Sequence, residues 1–104
     1  MDTYAADEWT ALGDPTRRAI FATLATRPSP VGALAATLPV SRPAVSQHLK
    51  ILKDAGLVLN ERAGTKRIYR VNPSGLARLR RELDGFWNDT LAAYKDVVEQ
   101  PHEE

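Results

Sequence analysis

Residues 41–57, SRPAVSQHLKILKDAGL, begin with a serine and end beside a glycine, with an apolar stripe between them. Ser41 is a good N-cap, Pro43 suits the first turn, and Val45, Leu49 and Leu52 recur at helical spacing. Gly56 is placed to end the helix in a left-handed conformation. The opposite face carries Arg42, Ser46, Gln47 and Lys50, all side chains that hydrogen-bond. Water could solvate such a face, but its neighbours in the chain argue for a surface that reads something.

Just upstream, Val31, Leu34, Ala35 and Leu38 fall at i, i+3, i+4 and i+7, the stripe of a short helix that Pro39 ends. Two amphipathic helices joined by a turn of three or four residues make a helix-turn-helix over 31–55. Downstream the period changes. LVLNER and KRIYRV read as two short strands joined by AGT, in which Gly64 supplies the turn. Arg62, Lys66 and Arg67 surround the tip of this hairpin. A hairpin over 57–71 following a helix-turn-helix is a wing, so the expected fold is mainly α with one small β-hairpin: a winged helix-turn-helix of about five helices and a two-stranded wing.

Helices flank this centre. A first helix is expected over about Thr3 to Leu12, with Tyr4, Trp9 and Leu12 as its apolar members. In GDPTRR, Asp14 is the N-cap and Pro15 the first residue of a second helix, which turns Ile20, Phe21 and Leu24 inward and stops before RPSP. Arg17 and Arg18 could meet a phosphate or pair with acids of the first helix. Asn72 and Pro73 open a long final helix. Its stripe of Leu76, Leu79, Leu83, Phe86, Trp87, Leu91, Tyr94, Val97 and Val98 is longer than a small domain can cover with its own atoms. The stripe could lie along the first helix, but a second copy of the chain is the simplest cover. Residues 1–12 and 73–100 are thus expected to form a homodimer, with Tyr4, Trp9, Leu83, Phe86, Trp87, Leu91, Tyr94 and Val98 in the contact.

The 104 residues amount to one domain, 43% hydrophobic and 26% charged. The net charge of +1 conceals a segregation. Residues 41–81 hold ten Lys and Arg against two acids, a net of +8, while the remainder holds four against eleven, a net of −7. A basic centre between acidic ends points to one surface for a polyanion. Cysteine is absent, which excludes disulfides and thiolate chemistry, and no apolar run is long enough for a membrane span. With an acidic start, MDTYAADEW, a cytoplasmic location is expected. No catalytic set, phosphate loop or metal cluster emerges, so no enzyme activity is expected.

Three strings carry a resemblance: ALGDPTRRAIFATLA, SRPAVSQHLKILKDAGLV and ERAGTKRIYRV, in order over about residues 11–71. Together they resemble the ArsR/SmtB-type winged-helix transcription repressors. That likeness implies a homodimer joined through the first and last helices, bound to an inverted-repeat operator and usually repressing transcription. Members that sense metals through thiolates carry a Cys-x-Cys motif at the start of the third helix, about where Pro30 and Gly32 stand here. Another branch uses Asp and His pairs on the last helix. This chain has two histidines, His48 and His102, and Glu99 with His102 is a poor donor set for a transition metal. The resemblance is therefore to the branch without a recognisable metal motif, and neither metal nor cofactor is expected. No small-molecule effector is nominated.

On that reading double-stranded DNA is the partner, met by Ser41, Arg42, Pro43, Ser46, Gln47, Lys50, Arg62, Thr65, Lys66 and Arg67. A recognition helix enters the major groove with its N-terminal part. Arg42 could bond a guanine and Gln47 an adenine, each in bidentate fashion. Ser41 is equally an N-cap, and Pro43 could touch a thymine methyl or only fix the first turn. Lys50 and Lys53 suit phosphate or water. Thr65, Lys66 and Arg67 are placed for the minor groove or backbone. His48, beside the apolar stripe, is expected to be partly buried, with a phosphate contact as the alternative. The other function class considered is a winged helix that binds proteins, which would need an apolar or acidic recognition face.

Overall fold

The computed structural model describes residues 8–100. Its elements are α1 (Glu8–Ala11), α2 (Pro15–Thr26), β1 (Ser29–Pro30), α3 (Val31–Thr37), α4 (Arg42–Asp54), β2 (Val58–Ala63), β3 (Lys66–Val71) and α5 (Pro73–Glu99). The expected first helix begins at Thr3 and includes Tyr4; both lie outside the described residues.

The helix starts follow the sequence closely. Asp14 Oδ2 accepts from the Arg17 amide at 2.9 Å, and Pro15 opens α2. Ser41 Oγ accepts from the Ala44 amide at 3.2 Å, and Asn72 Oδ1 from the Ser74 amide at 3.2 Å. Each cap satisfies an amide that the first turn cannot pair internally. α3 ends at Thr37, and Leu38 is extended because the following Pro39 excludes the α conformation before it. Leu38 thus leaves the helix but still packs on the core. The turn spans residues 38–41, after which α4 begins.

Ile20, Leu24, Leu34, Val45, Leu49, Leu52, Leu57 and Val58 form the core where α2, α3, α4 and the root of the wing meet. Phe21 is half-buried against it. Eight largely inaccessible apolar side chains stabilise the fold by roughly 1.5–3 kcal/mol each before chain entropy is counted.

The sheet differs from the expected two-stranded wing. Its order is β1-β3-β2, with Ser29 and Pro30 paired antiparallel to Tyr69 and Ile68. Both Pro28 and Pro30 push the residues before them into extended backbone, and an edge position tolerates a residue without an N–H. The RPSP segment therefore ends α2 and also supplies a strand. The main hairpin pairs Val58 with Val71 through Ala63 with Lys66, and Gly64 takes φ 66 in its two-residue turn.

At the base of the wing α5 docks on the end of α4. Gly56, at φ 80, terminates α4, and its carbonyl accepts from Asn72 Nδ2 at 2.9 Å. Gly75 is buried against that same carbonyl, so close that a Cβ would overlap it. Beyond this junction α5 leaves the core: every residue from 80 to 99 is exposed.

Candidate nucleic-acid interface

α4 turns Val45, Leu49 and Leu52 into the core, which fixes the rotation of the helix. Arg42, Pro43, Ser46, Gln47 and Lys50 are consequently exposed on one continuous face. Ser41 is exposed too, but its hydroxyl is engaged as the N-cap. Lys50 Nζ lies 3.0 Å from Asp54 Oδ2 one turn on. Both groups are well exposed, so the pair is weak and an external anion could displace Asp54. Arg62, Thr65, Lys66 and Arg67 are exposed around the hairpin tip.

Two clefts join this helix to the wing. One, of about 530 Å³, runs between the start of α3, Arg42, the turn residue Thr65 and the strand residues Lys66 and Arg67. The other, of about 400 Å³, lies between Ser46, Lys50, Lys53 and Asp54 of α4 and Asn60, Arg67 and Tyr69 of the wing. Arg67 and Tyr69 border both. Arg67 is steadied by a 2.7 Å hydrogen bond from its guanidinium to Asn60 Oδ1, a partner the sequence did not single out. In the register Arg67 stands opposite Arg62. Like charges directly across a ladder are destabilising, so hairpin stability alone does not account for this pair.

Elsewhere the basic side chains have internal duties. Arg17 Nε donates to the Ala11 carbonyl at 2.6 Å, and its guanidinium lies 3.3 Å from His48 Nδ1. Arg18 donates to the carbonyls of Leu12 and Gly13. Both arginines thus cap the end of α1, a role beside the expected choice between phosphate and acids of the first helix. Backbone carbonyls can take a cation at a helix C-terminus, a partner that residue types alone do not reveal. His48 is half-buried. The Arg17 amide bond to Asp14, with the nearby Arg17 charge beside it, holds the Asp14 carboxyl below its ordinary range despite some opposing desolvation.

The unanticipated Glu8–Arg78 pair joins α1 to α5 at 2.7 Å, with Glu8 largely buried. Past it, Trp9, Leu83, Phe86, Trp87, Leu91, Tyr94 and Val98 are all exposed. Trp9 meets Phe86, their ring centroids 5.8 Å apart. The described part of the first helix, Glu8–Ala11, thus meets α5 at the start of the stripe, and the rest of the expected first helix lies outside the described residues. At the positions where thiolate sensors carry cysteines, Pro30 is the N-cap residue of α3 and Gly32 lies in its first turn. Among the described residues no three His, Asp or Glu side chains converge as a metal site, and His102 lies outside them. No helix among the described residues is long and apolar enough to cross a membrane.

Comparison with known proteins agrees with this architecture. Residues 12–61 match a family described as a helix-turn-helix domain. The chain is 54% identical over 101 residues to the HTH-type transcriptional regulator Rv2034 of Mycobacterium tuberculosis, covering 95% of this chain and 94% of that protein. A crystal structure described as a possible transcriptional regulator for arsenical resistance superposes with a TM-score of 0.76 at 41% identity, over 92% of this chain and 98% of the other. The homodimeric winged helix-turn-helix DNA-binding domain Mb0332 of Mycobacterium bovis, a possible ArsR-family regulator, gives 0.62 at 27% identity, over 91% and 82%. Capped helix-turn-helix, wing, chain length and relatives agree, and the chain belongs to the ArsR/SmtB family of winged-helix transcriptional regulators.

Proposed function

We propose that the chain acts as a homodimeric repressor that binds an inverted-repeat operator. The recognition helix α4 enters the major groove, and the wing lies on the adjacent minor groove or backbone. The observation that carries this reading is the exposed face of Arg42, Ser46, Gln47 and Lys50, continuous through two clefts with the basic wing. Phosphates need cations for affinity, and base edges need donors and acceptors such as Gln47 for specificity.

The uncovered stripe of α5, with Trp9 beside it, supports pairing of two copies, and the homodimeric state of the Mycobacterium bovis relative favours the same arrangement. In this reading residues 1–12 and 73–100 form the dimer, 31–55 the helix-turn-helix and 57–71 the wing. A two-fold axis would then present two recognition helices to half-sites about one helical turn apart. A polar, basic α4 face favours DNA over a protein partner as the ligand.

The test is fluorescence anisotropy with a duplex enriched by the protein from a random pool, and with a shuffled version, from low to physiological salt. Binding of the enriched duplex should be tighter, and log affinity for both should fall linearly with log salt. Salt-insensitive binding, or none, would refute it.

A further inference from the structure

The larger cleft between the start of α3 and the wing holds a feature that a base-reading role for Arg42 does not explain. The guanidinium of Arg42 does not extend along the outer face of α4. Its Cζ, Nη1 and Nη2 lie 3.7, 3.7 and 3.8 Å from where a Cβ of Gly32 would stand, on the first turn of α3. That places it across the cleft from Thr65, Lys66 and Arg67. No carboxylate borders the cleft, and neither Arg42 nor Lys66 has an acidic partner among the described residues. The polar side chains of the lining are therefore three cations and the hydroxyls of Thr65 and Tyr69, set beside the apolar start of α3, with no carboxylate as counter-charge.

We propose that this cleft seats one phosphodiester of the DNA backbone, with Arg42 as a phosphate ligand that joins the recognition helix to the wing. The inference rests on the DNA-binding reading above and assigns a role within it. A planar guanidinium presents paired donors to two phosphate oxygens, Lys66 and Arg67 add charge from the opposite wall, and Thr65 adds a hydroxyl donor. A phosphate held there relieves the repulsion among Arg42, Lys66 and Arg67. It also fixes the angle between α4 and the hairpin, so Gln47 is aimed by a contact that carries no sequence information itself. To read guanine instead, Arg42 would have to leave Gly32 and swing outward.

The experiment compares wild type, Arg42→Gln and Gly32→Asp on the enriched duplex and on its shuffled version. Gly32→Asp puts a carboxylate beside the Arg42 guanidinium, in the first turn of α3 where an acid favours the helix, so it tests the charge without endangering the fold. Arg42→Gln should weaken both duplexes by about tenfold and lessen the salt slope by about one. Gly32→Asp should weaken both in the same sense while its Tm holds or rises. A fresh enrichment with Arg42→Gln should return the same base preference as wild type. A loss confined to the enriched duplex, with a changed preference at one base pair, overturns the assignment and makes Arg42 a base reader while leaving the DNA-binding reading intact. Affinity unchanged in both variants overturns it as well. Inorganic phosphate is the remaining arm: displacement of DNA from wild type beyond chloride of equal ionic strength, but not from Arg42→Gln, would show the free anion competing with the backbone for this cleft and supports the assignment, whereas equal displacement from both overturns it. Wild type that binds neither duplex brings down both readings together.

Discussion

Arg78 donates from Nε to Glu8 Oε2 at 2.7 Å, tying α1 to α5 across the chain. The Glu8 side chain is only 10% exposed and that of Arg78 43%, so the two partners are not equivalent. Removing Arg78 strands a mostly buried carboxylate, whereas Glu8→Gln keeps an acceptor and removes the charge. Arg78→Ala should therefore cost about 1–3 kcal/mol and Glu8→Gln less. Urea denaturation at matched protomer concentration measures both. An equal or larger loss for Glu8→Gln would show that the carboxylate's burial, not its partner, dominates.

Two glycines of α5 should respond to alanine with opposite signs. Gly75 lies against the Gly56 carbonyl, so a methyl there must push α5 off the end of α4. Nothing stands within 4 Å of a Cβ at Gly85, which by helical spacing faces away from the apolar stripe. Gly85→Ala should stabilise by about 0.5–1 kcal/mol through the helix preference for alanine. Gly75→Ala should destabilise despite the same preference. Thermal unfolding of the two variants reads the difference directly.

The stripe of α5 predicts a dimer that a single charge should break. Leu91 and Trp87 are 56% and 50% exposed and stand outside the core formed by the described residues. In a two-fold contact each substitution acts twice. Leu91→Asp should raise the dimer dissociation constant by about 100-fold or more, since a few kcal/mol of burial and desolvation are lost. Sedimentation equilibrium would show monomer, with the circular dichroism of the winged helix retained. A dimer that persists unchanged would place the contact elsewhere.

Much of this architecture was legible because it is local. Asp14, Ser41 and Asn72 cap the helices that follow them, Gly56 adopts the left-handed conformation expected of it, and Gly64 sits in the expected turn. The exposed α4 face followed from three apolar residues that fix its rotation. What escaped depends on long-range geometry. The Glu8–Arg78 pair spans 70 positions, and Arg17 reaches the Ala11 carbonyl across the turn after α1 and His48 on α4. β1 has two residues, too few to show alternation, and exists only because β3 passes beside it. Glycine at position 75, inside a helix, was the one readable sign of close approach at the α4–α5 junction.

Gln47 and Lys66 should separate specificity from affinity. Gln47 stands on the exposed α4 face and Lys66 on the wing tip. Gln47→Ala should reduce discrimination at one base pair by about 1–3 kcal/mol and leave shuffled DNA nearly unaffected. Lys66→Ala should weaken all sequences alike and flatten the salt dependence by about one counterion. Binding isotherms on single-base variants of the enriched duplex distinguish the two. Equal losses on every sequence for both substitutions would refute this division.

Acid stability should report on Asp14. Its carboxyl is held below the ordinary value of 3.8, chiefly by the Arg17 amide that it caps. A carboxylate more acidic in the folded chain binds fewer protons there than in the unfolded one. Its contribution is thus fully present above the unfolded value and is lost as pH falls through the folded value. Asn at this position caps α2 without titrating, whereas Ala does neither. Asp14→Asn should resemble wild type at neutral pH and show a shallower decline in stability below about 4, where the unfolded carboxyl begins to protonate. Asp14→Ala should be less stable at neutral pH and equally shallow in acid. Urea midpoints measured across that range decide the matter: an acid limb in Asp14→Asn as steep as that of wild type would move the responsible carboxyl elsewhere.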